Sequence, residues 1–230
     1  MIGRVVLAAL LAGMAAGLIM GAILHVRLTP LILKAEGFEA RQSVATHDHG
    51  NGGAHEHDGW RPADGWQRSL ATTLTTVMTG AAFAAVLAGI SLLSGIAITR
   101  RNGMVWGLCG FLAVTIAPAA GLPPVLPGMA AGDLWLQQLW WVSTVALTAA
   151  GIFLLVSRRQ AWAVALALAL IALPHALGAP SGIHAESTVP AELAARFAAN
   201  TIAANAVFWL LIGQFLAVAL TLTARDIYES

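Results

Sequence analysis

Residues 5–24 read VVLAALLAGMAAGLIMGAIL, a run of twenty residues without a single charge, and this stretch decides the fold class. A helix needs about 20 predominantly apolar residues to cross the roughly 30 Å hydrocarbon core of a bilayer. The apolar core of a secretory signal is shorter, about 7–15 residues. The stretch therefore predicts a retained transmembrane helix rather than a cleaved signal.

The composition of the whole chain agrees with this prediction. Of its 230 residues 58% are hydrophobic and 10% are charged, with a mean hydropathy of +0.78, whereas soluble domains carry about 25% charged residues. In lipid every backbone amide must find its partner inside its own segment, which favours helices. We predict an all-α integral membrane protein that forms one domain over residues 1–230. The balance of 12 basic and 11 acidic residues argues against nucleic acid as a partner.

Six apolar segments can be drawn along the chain. They cover residues 4–25, 70–98, 104–121, 135–156, 161–178 and 200–223. Pro118 and Pro174 shorten the third and the fifth, because proline lacks the amide hydrogen that a helix interior needs. We predict a bundle of about six transmembrane helices, with five spans and one re-entrant segment as the alternative.

Basic residues predict how this bundle is oriented. With six spans, one side of the membrane receives Arg4, Arg100, Arg101, Arg158, Arg159 and Arg225. Cytoplasmic loops carry the excess of Lys and Arg, so this side and both chain termini are predicted to be cytoplasmic. The extracytoplasmic side then receives three loops, at residues 26–69, 122–134 and 179–199.

A histidine-rich segment, THDHGNGGAHEHDGW at residues 46–60, lies in the first of these loops. His47 and His49 form one His-x-His pair, and His55 and His57 form a second. Alternate side chains of an extended backbone share a face, so each pair can offer two imidazoles to one ion. Nitrogen and oxygen ligands suit Co²⁺, Ni²⁺, Zn²⁺ or Cu²⁺ better than Cu⁺. We predict a low-affinity collector of divalent metal; the alternative is a solvated polar loop that binds ions incidentally.

The three remaining histidines, His25, His175 and His184, fall on the same predicted side and are further candidate metal ligands. For His25 the alternative is a hydrogen-bonded structural residue. Polar side chains in a membrane are costly and tend to mark pathways or interhelical bonds. In or beside the last span these candidates are Asn200, Asn205 and Gln214.

Glycines recur at every fourth position of the first segment, at Gly13, Gly17 and Gly21. Small residues at this spacing let a second helix approach closely. The stripe predicts helix packing within the bundle, with a homo-oligomer of the chain as the alternative.

Several motifs of catalysis are absent from the sequence. It contains no G-x-x-x-x-G-K-[ST], no H-E-x-x-H and no G-x-S-x-G, which are signatures of ATP hydrolysis, metalloproteases and serine hydrolases. We therefore predict that the protein is not an enzyme and has no cofactor beyond a bound or transported metal ion.

Five phrases occur in a recognisable order: PLILKAEGFE, GWRPADGWQR, APAAGLPPVLPG, LQQLWW and LPHALGAP. Together they resemble the predicted cobalt transporter subunit family CbtA over nearly the whole chain. The resemblance implies a bacterial inner-membrane protein that brings in cobalt for cobalamin synthesis. It also implies five spans and a small single-span partner subunit, CbtB. Co²⁺ thereby becomes the favoured ion, with Ni²⁺ or Zn²⁺ as alternatives.

The resemblance also singles out residues. It implies roles for the histidine-rich segment, for His175, for the pair Glu36 and Glu39, and for the prolines Pro123, Pro124 and Pro127. Glu36 and Glu39 are three residues apart and share a face if the backbone is helical. They could hold an ion between loop and membrane; a solvated helix face beside Lys34 is the alternative.

Two functional hypotheses follow. The first is a transport protein whose outer histidines collect the ion and pass it toward a path between the helices. The second is a membrane-embedded metal-binding module that delivers the ion to a separate permease or partner subunit.

Overall fold

The structure, a computed structural model, describes residues 2–46, 63, 65–129, 132–180, 187 and 189–228, and every regular element in this part of the chain is helical. The predicted ligands His47, His49, His55, His57 and His184 lie outside the described residues. The prediction of an all-α protein is confirmed.

The first apolar segment forms helix α1 (Ile2–Ile23), which passes without a break through a π-helical turn (Leu24–Leu28) into helix α2 (Thr29–Thr46). Its apolar part, Ile2–Arg41, has 40 residues and is about 60 Å long at 1.5 Å per residue. It therefore extends well beyond a bilayer core of roughly 30 Å. Much of segment 26–69, predicted as a loop, is thus helical. Alanines and leucines, which favour helices, continue past the membrane boundary.

Helix α3 (Trp66–Ser94) is followed by a tight connection to α4 (Gly103–Phe111). The side chain of Asn102 closes this connection, since it accepts a hydrogen bond from the Thr99 amide (2.6 Å) and donates one to the Ala97 carbonyl (2.9 Å). A second π-helical turn (Leu112–Ile116) then leads into the short helix α5 (Ala117–Gly121).

Both π turns end two residues before a proline. The amide of Thr29 bonds to the Leu24 carbonyl five residues back, just before Pro30, and the amide of Ala117 bonds to the Leu112 carbonyl, just before Pro118. A proline ring collides with the carbonyl four residues earlier, and a wider turn relieves that collision without ending the helix. Pro118 therefore modifies the third segment instead of terminating it.

Helices α6 (Leu134–Ser157) and α7 (Ala161–Leu177) form an antiparallel hairpin. Gly151 of α6 lies against Ala167 and Ile171 of α7, and Trp140 donates to the Pro174 carbonyl at 3.2 Å. The last helix, α8 (Ala191–Tyr228), is the longest single element, with 38 residues.

Five helices are long and apolar enough to cross a membrane by length and composition, and α7, with 17 residues, is shorter. The hairpin nevertheless carries α7 back along α6 as far as the contact between Gln137 and Pro180. All six apolar segments are thus helices, and the fifth is the short one. Pro174 does not end it, because this proline lies inside α7, which continues to Leu177.

Glycines allow two pairs of helices to touch backbone to backbone. A methyl group at Gly13 or Gly17 of α1 would collide with the main chain of α3, and one at Gly80 would collide with the Gly13 carbonyl. Gly107 of α4 meets Gly213 of α8 in the same way. The glycine stripe of α1 is therefore occupied within the chain, so it does not offer a face to a second copy.

The antiparallel pairings decide which residues share an end of the bundle. His25 of the first π turn lies beside Ser69 in the first turn of α3, and His175 packs edge-on against Trp140 in the first turns of α6. The connections that carry Arg100 and Arg158 lie at the other ends of these same helices. The two described histidines and the arginine-rich connections therefore occupy opposite ends, as the sequence predicted.

The core of the bundle extends into the segments at the histidine end. Leu31 and Ala35 of α2, Leu126 of the proline-rich segment 122–128, Val189 just before α8 and Phe197 of α8 are all buried and belong to the core cluster. The prolines of segment 122–128 restrict its backbone, and Leu126 is only 2% exposed. Segments 122–134 and 179–199 are thus partly structured rather than loops throughout.

Candidate functional site

A cavity of about 430 Å³ opens where the first π turn meets the start of α3. Its lining is apolar over most of its area, with a few polar groups at one place. The residues that line it are Gly21, Leu24, His25, Leu28, Thr29, Ile32, Leu33, Gly65, Arg68, Ser69 and Thr72. A concave site with a few convergent polar groups is the usual form of a ligand site.

His25 is the imidazole of this cavity, and its orientation is set by the first turn of α3. Its Nδ1 lies 3.3 Å from Ser69 Oγ, and the Ser69 hydroxyl lies 3.1 Å from the Gly65 carbonyl, to which it donates. A hydroxyl has one proton to give, so when Ser69 donates to the Gly65 carbonyl it accepts from Nδ1–H of His25. The tautomer with Nδ1 protonated has the Nε2 lone pair that a metal ion needs.

The π turn that carries His25 ends just before Thr29 and Pro30. Pro30 has no amide hydrogen, so one carbonyl of the turn lacks its helical donor, and Thr29 Oγ1 donates to the Leu24 carbonyl at 3.3 Å. Interrupted membrane helices use such carbonyls to coordinate cations.

An ion pair stands at the cavity wall. Arg68, which lines the cavity, makes two parallel contacts with Glu36 of α2, Nη2 to Oε1 at 2.5 Å and Nη1 to Oε2 at 3.1 Å. Eleven residues separate Glu36 from His25, about 16 Å on a straight helix axis, although Arg68 directly precedes Ser69. The ion pair therefore links α2 to the start of α3 through two long side chains.

The remaining predicted site residues lie elsewhere in the structure. Glu39 is exposed on α2, and His175 stacks edge-on against Trp140 with ring centroids 5.9 Å apart. The amides of Asn200 and Asn205 donate to carbonyls of their own helix, at Arg196 and Thr201.

Gln214 is at the opposite end of the bundle from His25. Its Oε1 approaches Gly103, the first residue of α4, next to the arginine-rich connection. Of the described candidates, only His25 lines the cavity, and Glu36 is connected to it through Arg68.

No three of the described His, Cys, Asp and Glu side chains come close enough to hold a metal ion among themselves. An ion at His25 therefore needs ligands of another kind, such as hydroxyls, carbonyls, water or side chains from outside the described ranges.

Sequence reasoning missed Arg68, Ser69 and Thr29. The sequence pointed to them only by position: Arg68 and Ser69 stand in the first turn of a span, and Thr29 stands beside a proline. Their partners lie 32 and 44 residues away for Arg68 and Ser69, and no local pattern reports such a distance.

A family model described as "Probable cobalt transporter subunit (CbtA)" matches residues 2–221, which include the cavity and all but the end of α8. The chain belongs to the CbtA family. No curated protein and no solved structure matches it.

Membership in the CbtA family agrees with the multi-pass helical architecture. The family description is that of a transporter subunit, which indicates transport rather than catalysis and implies partner subunits. Within this CbtA protein, the His25 cavity is the place where the described residues combine an open concave site with an oriented imidazole.

Proposed function

We propose that this CbtA protein carries a divalent metal ion, Co²⁺ first, across the bacterial inner membrane for cobalamin synthesis. The observation that carries the proposal is the oriented imidazole of His25 in a cavity between the two helices that flank the histidine-rich segment. That segment leaves α2 after Thr46 and reaches the cavity lining at Gly65.

The histidine-rich segment lies close enough to the cavity along the chain to deliver an ion to it. Eight residues separate His57 from Gly65, so the tether is at most about 27 Å long at roughly 3.4 Å per residue. His47, His49, His55 and His57 raise the local concentration of the ion beside the cavity, and His25 receives it. His175 lies at the same end of the protein, and His184 follows it along the chain before α8; both provide secondary binding.

Orientation and driving force complete the proposal. The end with both termini and with the short connections that carry Arg100, Arg101, Arg158 and Arg159 faces the cytoplasm, because Lys and Arg accumulate in short cytoplasmic loops, and the end with His25 faces outward. An inside-negative potential favours entry of a dication by about 4.6 kcal/mol per 100 mV, twice the value for one charge. A small single-span subunit resembling CbtB is the expected partner.

Flux measurements test this proposal. The purified chain is reconstituted alone into liposomes that contain a metal-sensitive dye and carry an inside-negative potassium diffusion potential. We expect Co²⁺ entry above that of protein-free liposomes, reduced at low micromolar Co²⁺ when His47, His49, His55 and His57 are replaced by alanine. Mg²⁺, which prefers oxygen ligands, serves as the ion control.

One result would contradict a transport role for the chain alone. Stoichiometric Co²⁺ binding without flux, with binding lost in the four-histidine variant, would instead identify a metal-binding module that serves a separate permease.

A further inference from the structure

The lining of the His25 cavity indicates the form in which the ion is bound, an inference that rests on the proposed function. We propose that the cavity binds the metal ion as a complex with a small organic carboxylate. The carboxylate oxygens contact Arg68 and the hydroxyls of the wall, and they supply the negative charge that the described lining lacks.

The cavity offers no negative charge to a bare dication. None of the described residues that line it is acidic, whereas Arg68 is among them. Glu36, the partner of Arg68, is not in the lining, so the guanidinium is the member of the ion pair that stands at the wall. A dication that enters such a place gives up hydration and is repelled by the guanidinium. An ion that keeps carboxylate ligands forms a neutral or negative complex and avoids both costs.

The wall formed by α3 carries groups that suit carboxylate oxygens. Arg68 and Ser69 stand in the first turn of this helix and Thr72 in the next, and all three line the cavity. Guanidinium and hydroxyl groups donate hydrogen bonds to carboxylates. Gly65, just before the first residue of α3, lines the cavity as well, and the N-terminal end of a helix adds partial positive charge. This wall therefore favours an anion.

Thr72 is the hydroxyl of this wall that is left for a ligand. Other hydroxyls in the first half of α3 donate to backbone carbonyls, namely those of Ser69, Thr73, Thr75, Thr76 and Thr79. The Thr72 hydroxyl makes no hydrogen bond with the described part of the chain, although this side chain lines the cavity. Polar groups in such surroundings are normally hydrogen-bonded, so Thr72 has a donor to give to a bound carboxylate.

His25 serves the complex in either tautomer. Its Nδ1 meets Ser69, and Nε2 is the other ring nitrogen. With a lone pair Nε2 binds the metal, and with a proton it donates to a carboxylate oxygen. The complex is therefore recognised whichever nitrogen carries the proton.

The volume and the apolar part of the lining also fit a complex. A space of about 430 Å³ holds about fourteen waters at roughly 30 Å³ each, more than the roughly six that surround an octahedral ion. Leu24, Leu28, Ile32 and Leu33 line the side formed by the first π turn and α2. These side chains offer contact to carbon atoms, which a shell of water does not have.

Retention of citrate, a small carboxylate that complexes Co²⁺, tests the proposal. The protein is the full-length chain in detergent micelles, and a variant without loop histidines is used throughout, in which His47, His49, His55, His57 and His184 are replaced by alanine. Equilibrium dialysis with radiolabelled cobalt and radiolabelled citrate in excess measures both ligands. We expect about one citrate bound per cobalt, and cobalt should raise the affinity for citrate on the order of tenfold, since two ligands that bind together strengthen each other.

Substitutions at the wall separate contact with the carboxylate from packing. Arg68→Gln should weaken binding of the cobalt–citrate complex about tenfold, because a charge-assisted hydrogen bond is lost, and should not weaken binding of Co²⁺ supplied as chloride. Glu36→Gln breaks the same ion pair but leaves the guanidinium, so it should bind the complex within about threefold of the parent.

The hydroxyl of Thr72 has a matched control on the same helix. Thr72→Val keeps the shape of the side chain and should weaken binding of the complex about threefold. Thr75→Val removes a hydroxyl that is exposed and bonds to the Ala71 carbonyl, and it should leave the affinity unchanged.

Four results would overturn the proposal: cobalt bound without citrate, cobalt binding abolished by excess citrate, citrate bound equally with and without cobalt, or an equal loss of affinity in Arg68→Gln and Glu36→Gln. If Arg68→Gln does not fold, Arg68→Lys keeps the charge but loses the planar fork of donors, and it should weaken binding of the complex about threefold. Absence of flux in liposomes, with citrate still bound alongside cobalt, would reject the transport function and leave the complex as the bound form.

Discussion

At the scale of single residues, Ser69 orients His25 although it need not touch the ion. Its Oγ joins His25 Nδ1 to the Gly65 carbonyl, at 3.3 and 3.1 Å. Partners of this kind hold the ring and its tautomer, and losing one costs about 10–100-fold in metal affinity.

We therefore expect Ser69→Ala to weaken Co²⁺ binding about tenfold in the variant without loop histidines. Ser69→Thr, which retains the hydroxyl, should bind within about threefold of the parent. Calorimetric titration of both variants measures this, and equal loss in the two would show that the hydroxyl has no orienting role.

The structure gives Glu36 a different partner from the one that its position in the sequence suggested. The sequence grouped it with Glu39 on one helical face, and the structure separates the two: Glu39 is exposed, whereas Glu36 is joined to Arg68. Only the ion pair with Arg68 at the start of α3 makes this distinction.

At the scale of elements, helix contacts through glycine hold α1 against α3. Without a hydrophobic force between helices in lipid, close van der Waals packing of small residues drives their association. A methyl group at Gly80 would collide with the Gly13 carbonyl, whereas one at Gly89, on the same helix, meets nothing within 4 Å.

These two positions form a matched pair. Gly80→Ala should destabilise the folded protein by about 1–3 kcal/mol through overpacking. Gly89→Ala should be neutral or stabilising by up to about 1 kcal/mol, because alanine favours the helix. Unfolding in detergent by a denaturing surfactant, followed by circular dichroism, compares them; equal stability of the two variants would contradict the backbone contact.

The sequence showed Pro30 and Pro118 but did not predict the π-helical turns that precede them. Pro118 and Pro30 each follow such a turn by two residues, and the helix continues through both. The predicted helix end at Pro118 is replaced by a bend, because widening one turn relieves the collision of the ring at less cost than leaving several backbone groups unpaired in lipid.

At the scale of the whole molecule, His25 and His175 lie at the end opposite to the short connections that carry Arg100 and Arg158, and this makes a prediction about topology. Cys109 is the only cysteine, so a Cys109→Ala chain carrying Ser43→Cys has one reactive thiol. We expect a membrane-impermeant thiol reagent to label it in intact spheroplasts, since α2 belongs to the proposed outer end. Labelling only after the membrane is opened would reverse the orientation.

Tryptophans support the same placement of the bundle. Trp66, Trp135 and Trp162 are each 61–72% exposed and lie at or next to the first residue of α3, α6 and α7. Helix α6 has 24 residues, about 36 Å, which separates Trp135 from Trp162 by the thickness of a bilayer core. Such aromatic residues mark the two interfaces of a membrane.

The sequence by itself determined the class of protein, the positions of its apolar helices and the placement of His25 and His175 at the end opposite to the short arginine-carrying connections. Each of these follows from terms that belong to one residue or one short segment, namely transfer into lipid and the charge of flanking residues. It also placed His25 among the candidate ligands.

Only the tertiary structure decided which helices touch, which carboxylate meets Arg68 and which hydroxyl orients His25. These contacts join residues 32 and 44 positions apart. They exist because the antiparallel packing of α1 on α3, through glycines, brings the two ends of the segment 25–69 together. The energy of a contact depends on the relative position of both partners, and that position is a property of the packed bundle rather than of either segment.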